Sequence, residues 1–463
     1  MEERDDYKFL KLRDAVTCLN QKVNLIGVVI EFGFPKTTKG TDYFCSVRLI
    51  DESYSDEGIP VNFFAENVEK LPFIASPGDI VQLSRVVIKT HDGEVYALFN
   101  KKFSSFALYE GVDGKDFVPY QVSARFSSRE LDKKFIGDLR KWFINFQDNL
   151  DPNDFQLISE MKEGQRHNLV GKILHISKVA NNNCIIFLWD GTDAPKNNIQ
   201  TKLIDEMNTP LPLQLEPNPL PRDVLCTFPP VGTVLRVFLD EGNRNLSPSF
   251  LRIGQWINFV NIVCEVHAGL WRGILMSFTK FRCIANNSRY ALTCLSSYEE
   301  RVSSNFGRTP TSCESPSTVT EVDHAFVPFA SLMDVITYAE VTAKFKCIVR
   351  VVAVLPFQVE DFVSPLGIYR VRLTLEDPTA RIFAFLYNED AEKFFEGHPP
   401  SNVLRRKMKK LLGVGEDDQS NETEYTVRDP PWVTCCLKSY YIDKNQAWES
   451  RRYRICDTRL VGG

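Results

Sequence analysis

The chain has no run approaching the roughly 20 apolar residues of a membrane-spanning helix, which argues against a helical membrane anchor. Its first residues, Met1 to Asp6, are charged rather than apolar, so no secretory leader is expected there. Histidine is scarce, with six residues in 463, and His91, His167, His175, His267 and His398 stand apart. That leaves little material for a histidine acid, base or metal helix. The twelve cysteines are scattered singly apart from Cys435-Cys436 and form no C-x2-C pair, so neither a zinc ribbon nor a disulfide scaffold is expected. Cys435, Cys436 and Cys456 fall on segments that can become neighbours, yet a fourth ligand is missing. They read as reduced, small apolar residues of a nuclear or cytosolic protein.

Catalytic signatures are lacking as well. There is no G-x-x-x-x-G-K phosphate cradle, no paired-histidine zinc helix and no G-x-S-x-G elbow. The acidic pairs Asp51-Glu52 and Asp240-Glu241 have no companion carboxylates for two-metal chemistry. Neither an enzymatic activity nor a cofactor is expected. Positive charge is also short: 55 Lys and Arg face 60 Asp and Glu, a net charge of −5, and no third of the chain is basic. A protein that coats nucleic acid by neutralising phosphates would carry a positive field. If nucleic acid is bound, it is bound selectively, through local cations such as Lys36, Lys39, Lys89, Lys101 and Lys102.

What is present is aromatic: 33 Phe, 15 Tyr and 6 Trp. The length exceeds what one core usually serves, so three domains are expected, over residues 1–150, 151–300 and 326–463. Residues 23–109 read as five strands, Val23 to Ile30, Tyr43 to Asp51, Ile59 to Ala65, Asp79 to Lys89 and Glu94 to Asn100. The last two are joined by the hairpin signal His91-Asp92-Gly93. A short helix, Glu66 to Leu71, falls between strands three and four, where an oligonucleotide-binding (OB) barrel places one. An SH3-like barrel is the alternative. Ser127 to Gln147 reads as a helix capped by Ser127 and Glu130, with Leu131, Phe135, Leu139, Trp142, Phe143 and Phe146 on a core face, ended by Asp151-Pro152.

The second domain carries strands at Asn168 to Lys178, Cys184 to Asp190, Gly232 to Asp240, Trp256 to His267 and Trp271 to Arg282. Seven prolines between Met207 and Val231 predict a stiff excursion from that barrel. Residues 301–325, rich in Ser, Thr and Pro, predict a disordered linker. Beyond it, strands Ala343 to Leu355, Ile368 to Glu376, Ala380 to Leu386, Trp432 to Asp443 and Ser450 to Leu460 repeat the order of the first domain. Helices are expected at Asp390 to Glu396 and Arg405 to Leu412. The fold class is therefore mainly β with short helices, as tandem five-stranded Greek-key barrels of the OB type.

One surface concentrates the chemistry. Phe32, Phe34 and Lys36 precede Lys39-Gly40-Thr41-Asp42-Tyr43, so aromatic rings and cations share a strand-loop rim. Rings stack on unpaired bases and ammonium groups meet phosphates; equally, such a rim is often a hairpin with core aromatics. Phe63 and Phe64 are adjacent on one strand and face opposite sides, one into the barrel and one out. Asp42 repels phosphate, but a carboxylate accepts hydrogen bonds from guanine N1–H and N2–H, which suits a G-rich strand. In the second domain Phe238, Trp189, Trp256 and Trp271 are candidates, with the tryptophans more simply placed in the core.

Gly27-Val28-Val29, Lys39 to Tyr43, Asp51, Phe64, Asn67, Leu71 and Pro72 together resemble the first OB-fold of the protection-of-telomeres family. Trp189-Asp190-Gly191-Thr192 with Pro195 resembles that family's second OB-fold. The resemblance covers about two-thirds of the chain, and the last third fits only as a fold. Its compact length resembles plant members, because the long insertion of the animal third fold is absent. The resemblance implies selective binding of single-stranded, G-rich telomeric DNA in the nucleus, for telomere capping and telomerase regulation. It implies telomere-capping complex proteins and telomerase components as partners, the third fold docking a protein. The strand-binding residues it implies are Phe32, Phe34, Lys36, Lys39, Thr41, Asp42, Tyr43, Phe64, Lys89 and Phe238, with Phe64 as a base-stacking ring. The alternative is an OB-fold scaffold in a telomerase or end-capping complex that contacts proteins or RNA and binds DNA weakly.

Overall fold

Alternating apolar and polar residues build the first barrel. In β3 (Tyr43–Asp51), Cys45, Val47 and Leu49 are buried, while Phe44, Ser46 and Arg48 lie on the other face and are only partly covered. The computed structural model describes residues 8–76, 78–112, 114–146, 155–178, 184–240, 250–284, 286, 288–323, 327–415 and 427–461. Strands β1 (Lys22–Gly33), β3, β4 (Tyr54–Ala65), β5 (Ile80–His91) and β6 (Glu94–Phe99) form a ring in the order β1-β3-β4-β6-β5, closed by β1 on β5. The parallel β4–β6 pairing among otherwise antiparallel neighbours is the Greek-key order of an OB barrel. A two-residue strand, β2 (Lys36–Thr37), lies on β3, and β7 (Ser105–Tyr109) and β8 (Gln121–Val122) extend the sheet beyond β5. The hairpin at His91 is built as expected, with positive φ at Asp92 and Gly93.

The same order recurs twice. β9 (Arg166–Lys178), β10 (Cys184–Trp189), β11 (Leu235–Leu239), β12 (Trp256–His267) and β13 (Leu270–Leu275) close as β9-β10-β11-β13-β12. Further on, β16 (Lys344–Leu355), β17 (Arg370–Glu376), β18 (Arg381–Tyr387), β19 (Val433–Tyr441) and β20 (Arg451–Cys456) close as β16-β17-β18-β20-β19. Between strands three and four, the last barrel carries helices α6 (Glu389–Phe395) and α7 (Ser401–Leu412).

A shared device starts each barrel. An aspartate ending the second barrel strand accepts a hydrogen bond from the first backbone N–H of a short upstream helix. Leu12 N donates to Asp51 at 2.8 Å, Ile158 N to Asp190 at 2.7 Å and Leu332 N to Asp377 at 2.7 Å. Each carboxylate also accepts from the hydroxyl two residues later, Ser53, Thr192 or Thr379. The helices so held are α1 (Leu12–Ala15), a 3-10 turn at Ile158–Glu160 and, later in the chain, Leu332–Thr337. Helix N-termini carry unsatisfied donors, and the aspartates satisfy one in each case.

Several expectations are corrected. The helix expected over 127–147 is α2 (Asp132–Ile144), without a Ser127–Glu130 box. Instead Asp132 accepts from Arg129 N and Gln82 Nε2, both at 3.0 Å, which puts Ile136 and Leu139 in the core and leaves Leu131 and Phe135 exposed. The Asp151-Pro152 stop lies outside the described residues. The helix expected at Glu66 to Leu71 is one 3-10 turn, Val68–Lys70, capped by Asn67. The strand expected from Trp271 to Arg282 is two strands. Its second half, β14 (Lys280–Ile284), pairs with β12 and also with β1, joining the first two barrels in one sheet.

Residues 301–323 of the expected linker are ordered. Helix α4 (Arg289–Ser303), after α3 (Arg222–Leu225), ends near Arg301, whose guanidinium grips Asp193 at 2.9 and 2.8 Å, and Thr311 N donates to the same carboxylate. The chain then forms β15 (Thr320–Val322), paired with β21 (Thr458–Leu460), and α5 (Leu332–Thr337) follows. A polar segment is held here by an ion pair and backbone pairing, which apolar composition does not register.

Candidate nucleic-acid interface

Strand parity sorts the first barrel's aromatics. Phe63 is 1% exposed and meets Phe99 and Phe106 inside the barrel. Phe64, its neighbour, faces outward across from Phe44, with ring centroids 5.0 Å apart. Lys36 pairs with Phe44 across β2 and sets its ammonium 5.1 Å from that ring. Lys36, Phe44 and Phe64 thus form a row over three adjacent strands: one cation and two tilted rings on a partly open face. Phe44 was not among the sequence candidates, although alternation from buried Cys45 and Val47 places it beside Phe64.

The loop above this row is built locally. Thr38 and Asp42 close it through Thr38 N and Thr38 Oγ1, both donating to Asp42 O, and leave Lys39, Gly40 and Thr41 exposed. The Asp42 carboxylate is held by Lys101 Nζ at 3.1 and 2.9 Å. The hydrogen bond to Asp42 raises the Lys101 ammonium above its ordinary pKa. The pair aims an acceptor and a donor along the rim and offsets the repulsion between Asp42 and phosphate. Lys89 lies on the outer face of β5, opposite Tyr96, with its ammonium 2.8 Å from Asn20 Oδ1. Tyr43 leans inward against the barrel core, so it supports the row rather than belonging to it.

Phe32 and Phe34 are corrected outright. They are 6% and 5% exposed, because the end of β1 pairs with β14 of the second barrel. Phe32 meets Phe250 at 4.8 Å, and Phe34 meets Phe281 at 4.7 Å. These rings are the seam between two barrels and have no free face for a base. Beside them Glu31 pairs with Lys280 at 2.9 Å; burial alone would raise its pKa, but Lys280, Arg48 and Arg282 hold it below the ordinary value.

Phe238 keeps a partly open ring, with the Arg272 guanidinium 5.9 Å from its centroid. It lies on the outer face of β11 opposite Ile185, the position that Phe64 and Phe44 hold in the first barrel. There the proline-rich segment packs alongside: Leu220 and Phe228 are buried in one cluster with Ile185, Phe187 and Trp189, and Phe238 borders that cluster. Trp189 and Trp256 are core residues, and Trp189 Nε1 donates to Val231 O at 3.0 Å. Desolvation pushes the buried Cys435 thiol up to about 12, as in an inert core residue.

Three rings of five strands with a cation–aromatic row on one of them define a multi-OB-fold protein of the single-strand-binding class. Residues 3–153 match the family described as telomeric single-stranded DNA-binding POT1/CDC13, and residues 315–446 match the POT1A-like OB-fold domain. The chain is 40% identical to protection of telomeres protein 1b of Arabidopsis thaliana, over 99% of this chain and 98% of that one. It is 39% identical to protein 1a of the same plant, over 99% of both. The human protection of telomeres protein 1 matches at 29% identity over 37% of this chain and 26% of its own length. Among solved structures, fission yeast Pot1 with ssDNA aligns with 64% of this chain and 95% of that one at 18% identity and a TM-score of 0.28. The chain belongs to the protection-of-telomeres family, whose members are binding proteins rather than enzymes.

Proposed function

We propose that the first barrel binds the single-stranded, G-rich DNA of chromosome ends across Lys36, Phe44 and Phe64, and that the chain thereby caps telomeres in the nucleus. The observation that carries this reading is the outward row itself, since two adjacent rings with an ammonium over one of them suit bases stacked beside a phosphate. Asp42, held by Lys101, is the acceptor for guanine N1–H and N2–H, and Lys39 and Thr41 extend the rim toward the backbone. Lys89, on the outer face of β5, is a further cation of that barrel. Family membership supports the strand being telomeric. Telomere-capping proteins and telomerase components are the proposed partners of the remaining surface.

A scaffold that contacts proteins or RNA and binds DNA weakly is the second reading. One observation favours it: the chain's own proline-rich segment packs alongside the matching face of the second barrel. The test is a titration, at physiological salt, of the G-rich telomeric strand, its complement and an RNA of the same sequence. The expected result is tightest binding of the G-rich DNA with a shallow salt dependence, reflecting few phosphate contacts. Equal, weak binding of all three would favour the scaffold.

A further inference from the structure

The strand pair that carries Phe44 and Phe64 in the first barrel has a counterpart in the third. There Arg372 lies opposite Phe385, near the start of β17 and the end of β18, and the Arg372 guanidinium sits 4.3 Å over the ring of Phe383. Cations and rings alternate on this face as they do on the first barrel. Phe383 and Phe385 line a cleft of about 580 Å³ whose other wall is the second barrel, including Trp271 on β13. Ligand pockets commonly span about 300–1,000 Å³. The Trp271 indole is fixed by its Nε1 bond to Pro195 O at 2.8 Å, so the wall is preformed.

The electrostatics select the ligand's sign. Six Lys or Arg and three acidic residues line the cleft, in a chain whose net charge is −5. Glu216 and Glu376 are taken up by Arg236, Arg350 and Arg381. Arg451, 8% exposed, donates only to the carbonyls of Ile336, Glu340 and Val341 and to Ser439 Oγ, and Arg452 beside it is exposed with one bond, to Arg451 O. Neither meets a carboxylate among the described residues. Two buried donors lining the cleft, Arg350 Nε and Trp432 Nε1, also have no acceptor among the described residues. A group with acceptor oxygens and negative charge satisfies this end, and a flat aromatic body satisfies the ring wall.

We propose that the cleft between the second and third barrels binds an unpaired nucleotide, its base against Phe383, Phe385 and Trp271 and its phosphate at Arg451 and Arg452. The nucleotide is either part of the same single strand or a free mononucleotide; its strand-borne form rests on the proposed function of the first barrel. The third barrel then serves nucleic acid as well as protein. An acidic peptide would meet the arginines but leave the ring wall without a stacking partner.

The test uses the full chain and a double variant, Phe385→Ala with Arg452→Ala; thermal melting checks that it is folded. Binding of G-rich single strands is measured by anisotropy for lengths from about 6 to about 24 nucleotides, the span of one to several OB-folds. In parallel, dGMP is titrated against tryptophan fluorescence, which Trp271 and Trp432 report. The expected result is that longer strands bind the wild type about tenfold more tightly than short ones, the loss of one stacked base being of that order, and that the variant loses this gain while binding short strands normally. Quenching by dGMP in the wild type and not the variant, without a length gain, identifies the free nucleotide as ligand. If the variant matches the wild type in both measurements, the proposal is overturned. Failure of the first-barrel reading shows separately, as absent short-strand binding.

Discussion

Phe63 and Phe64 share a residue type and a strand, yet one is 1% exposed and the other partly open. Phe64→Ala and Phe44→Ala are each expected to weaken telomeric strand binding by about 1–3 kcal/mol, with little change in melting temperature. Phe63→Ala is expected to cost about 3–5 kcal/mol of stability, read by denaturant unfolding, because it empties the barrel core. Identical stability losses at Phe63 and Phe64 would contradict the sidedness. At Asp42 the expected change is in discrimination: Asp42→Ala lets a purine swap in the strand pass with little loss, measured by competition between matched and swapped strands. The outward face of Phe64 was legible because strand alternation acts within a few residues. Phe32 and Phe34 were not, since their burial comes from Phe250 and Phe281, more than two hundred residues away, and no local pattern reports a second barrel.

At the scale of elements, the fifteen barrel strands were legible, and the short strands that extend or join them, β2, β7, β8, β14, β15 and β21, were not. β14 shows why. All five of its residues pair with β12, as in Phe259↔Phe281, and Lys280, Phe281 and Arg282 pair with β1 as well, as in Phe32↔Phe281, so no single hairpin pattern defines it. Phe281 is fully buried among Phe32, Phe34, Phe250 and Phe259. Phe281→Ala is expected to cost about 3–5 kcal/mol and to lower the protection of both barrels together in hydrogen exchange. A loss confined to the second barrel would show that the seam is not cooperative. The linker was misread for a physical reason of the same kind: composition counts apolar burial, whereas Arg301, Asp193 and Thr311 order that segment through hydrogen bonds. Limited proteolysis is accordingly expected to spare residues 304–319 in the wild type and to cut there in Arg301→Ala.

Across the whole molecule, the three barrels were legible in number and order, and their mutual locking was not. Glu376 stands at the junction of the second and third barrels, bonded to Arg350 and Arg381, while Arg350 also donates to Asn197 and Arg381 to Pro212 and Ala268. Burial raises the pKa of Glu376, but Arg381 and Arg350 together outweigh burial and hold it below the ordinary 4.5. A carboxyl with a depressed folded-state pKa stabilises the native state above 4.5, and that contribution disappears as pH falls through the lower folded value. The wild type is therefore expected to lose stability on acidification below that point more steeply than Glu376→Gln, which is already weaker at pH 7. Parallel pH profiles for the two proteins would show that the lock contributes nothing.

The aspartates that end the second strand of each barrel have a temporal meaning. The contacts from Asp51 to Leu12, Asp190 to Ile158 and Asp377 to Leu332 span 39, 32 and 45 residues, all within the first half of their own barrel. As the chain leaves the ribosome, each upstream helix can be fastened as soon as two strands have emerged, before the remaining three are made. Domains generally fold as units during synthesis, N-terminal first. Each barrel can therefore anchor its own beginning before the next barrel's strands appear, a safeguard for three similar barrels made in succession from one chain.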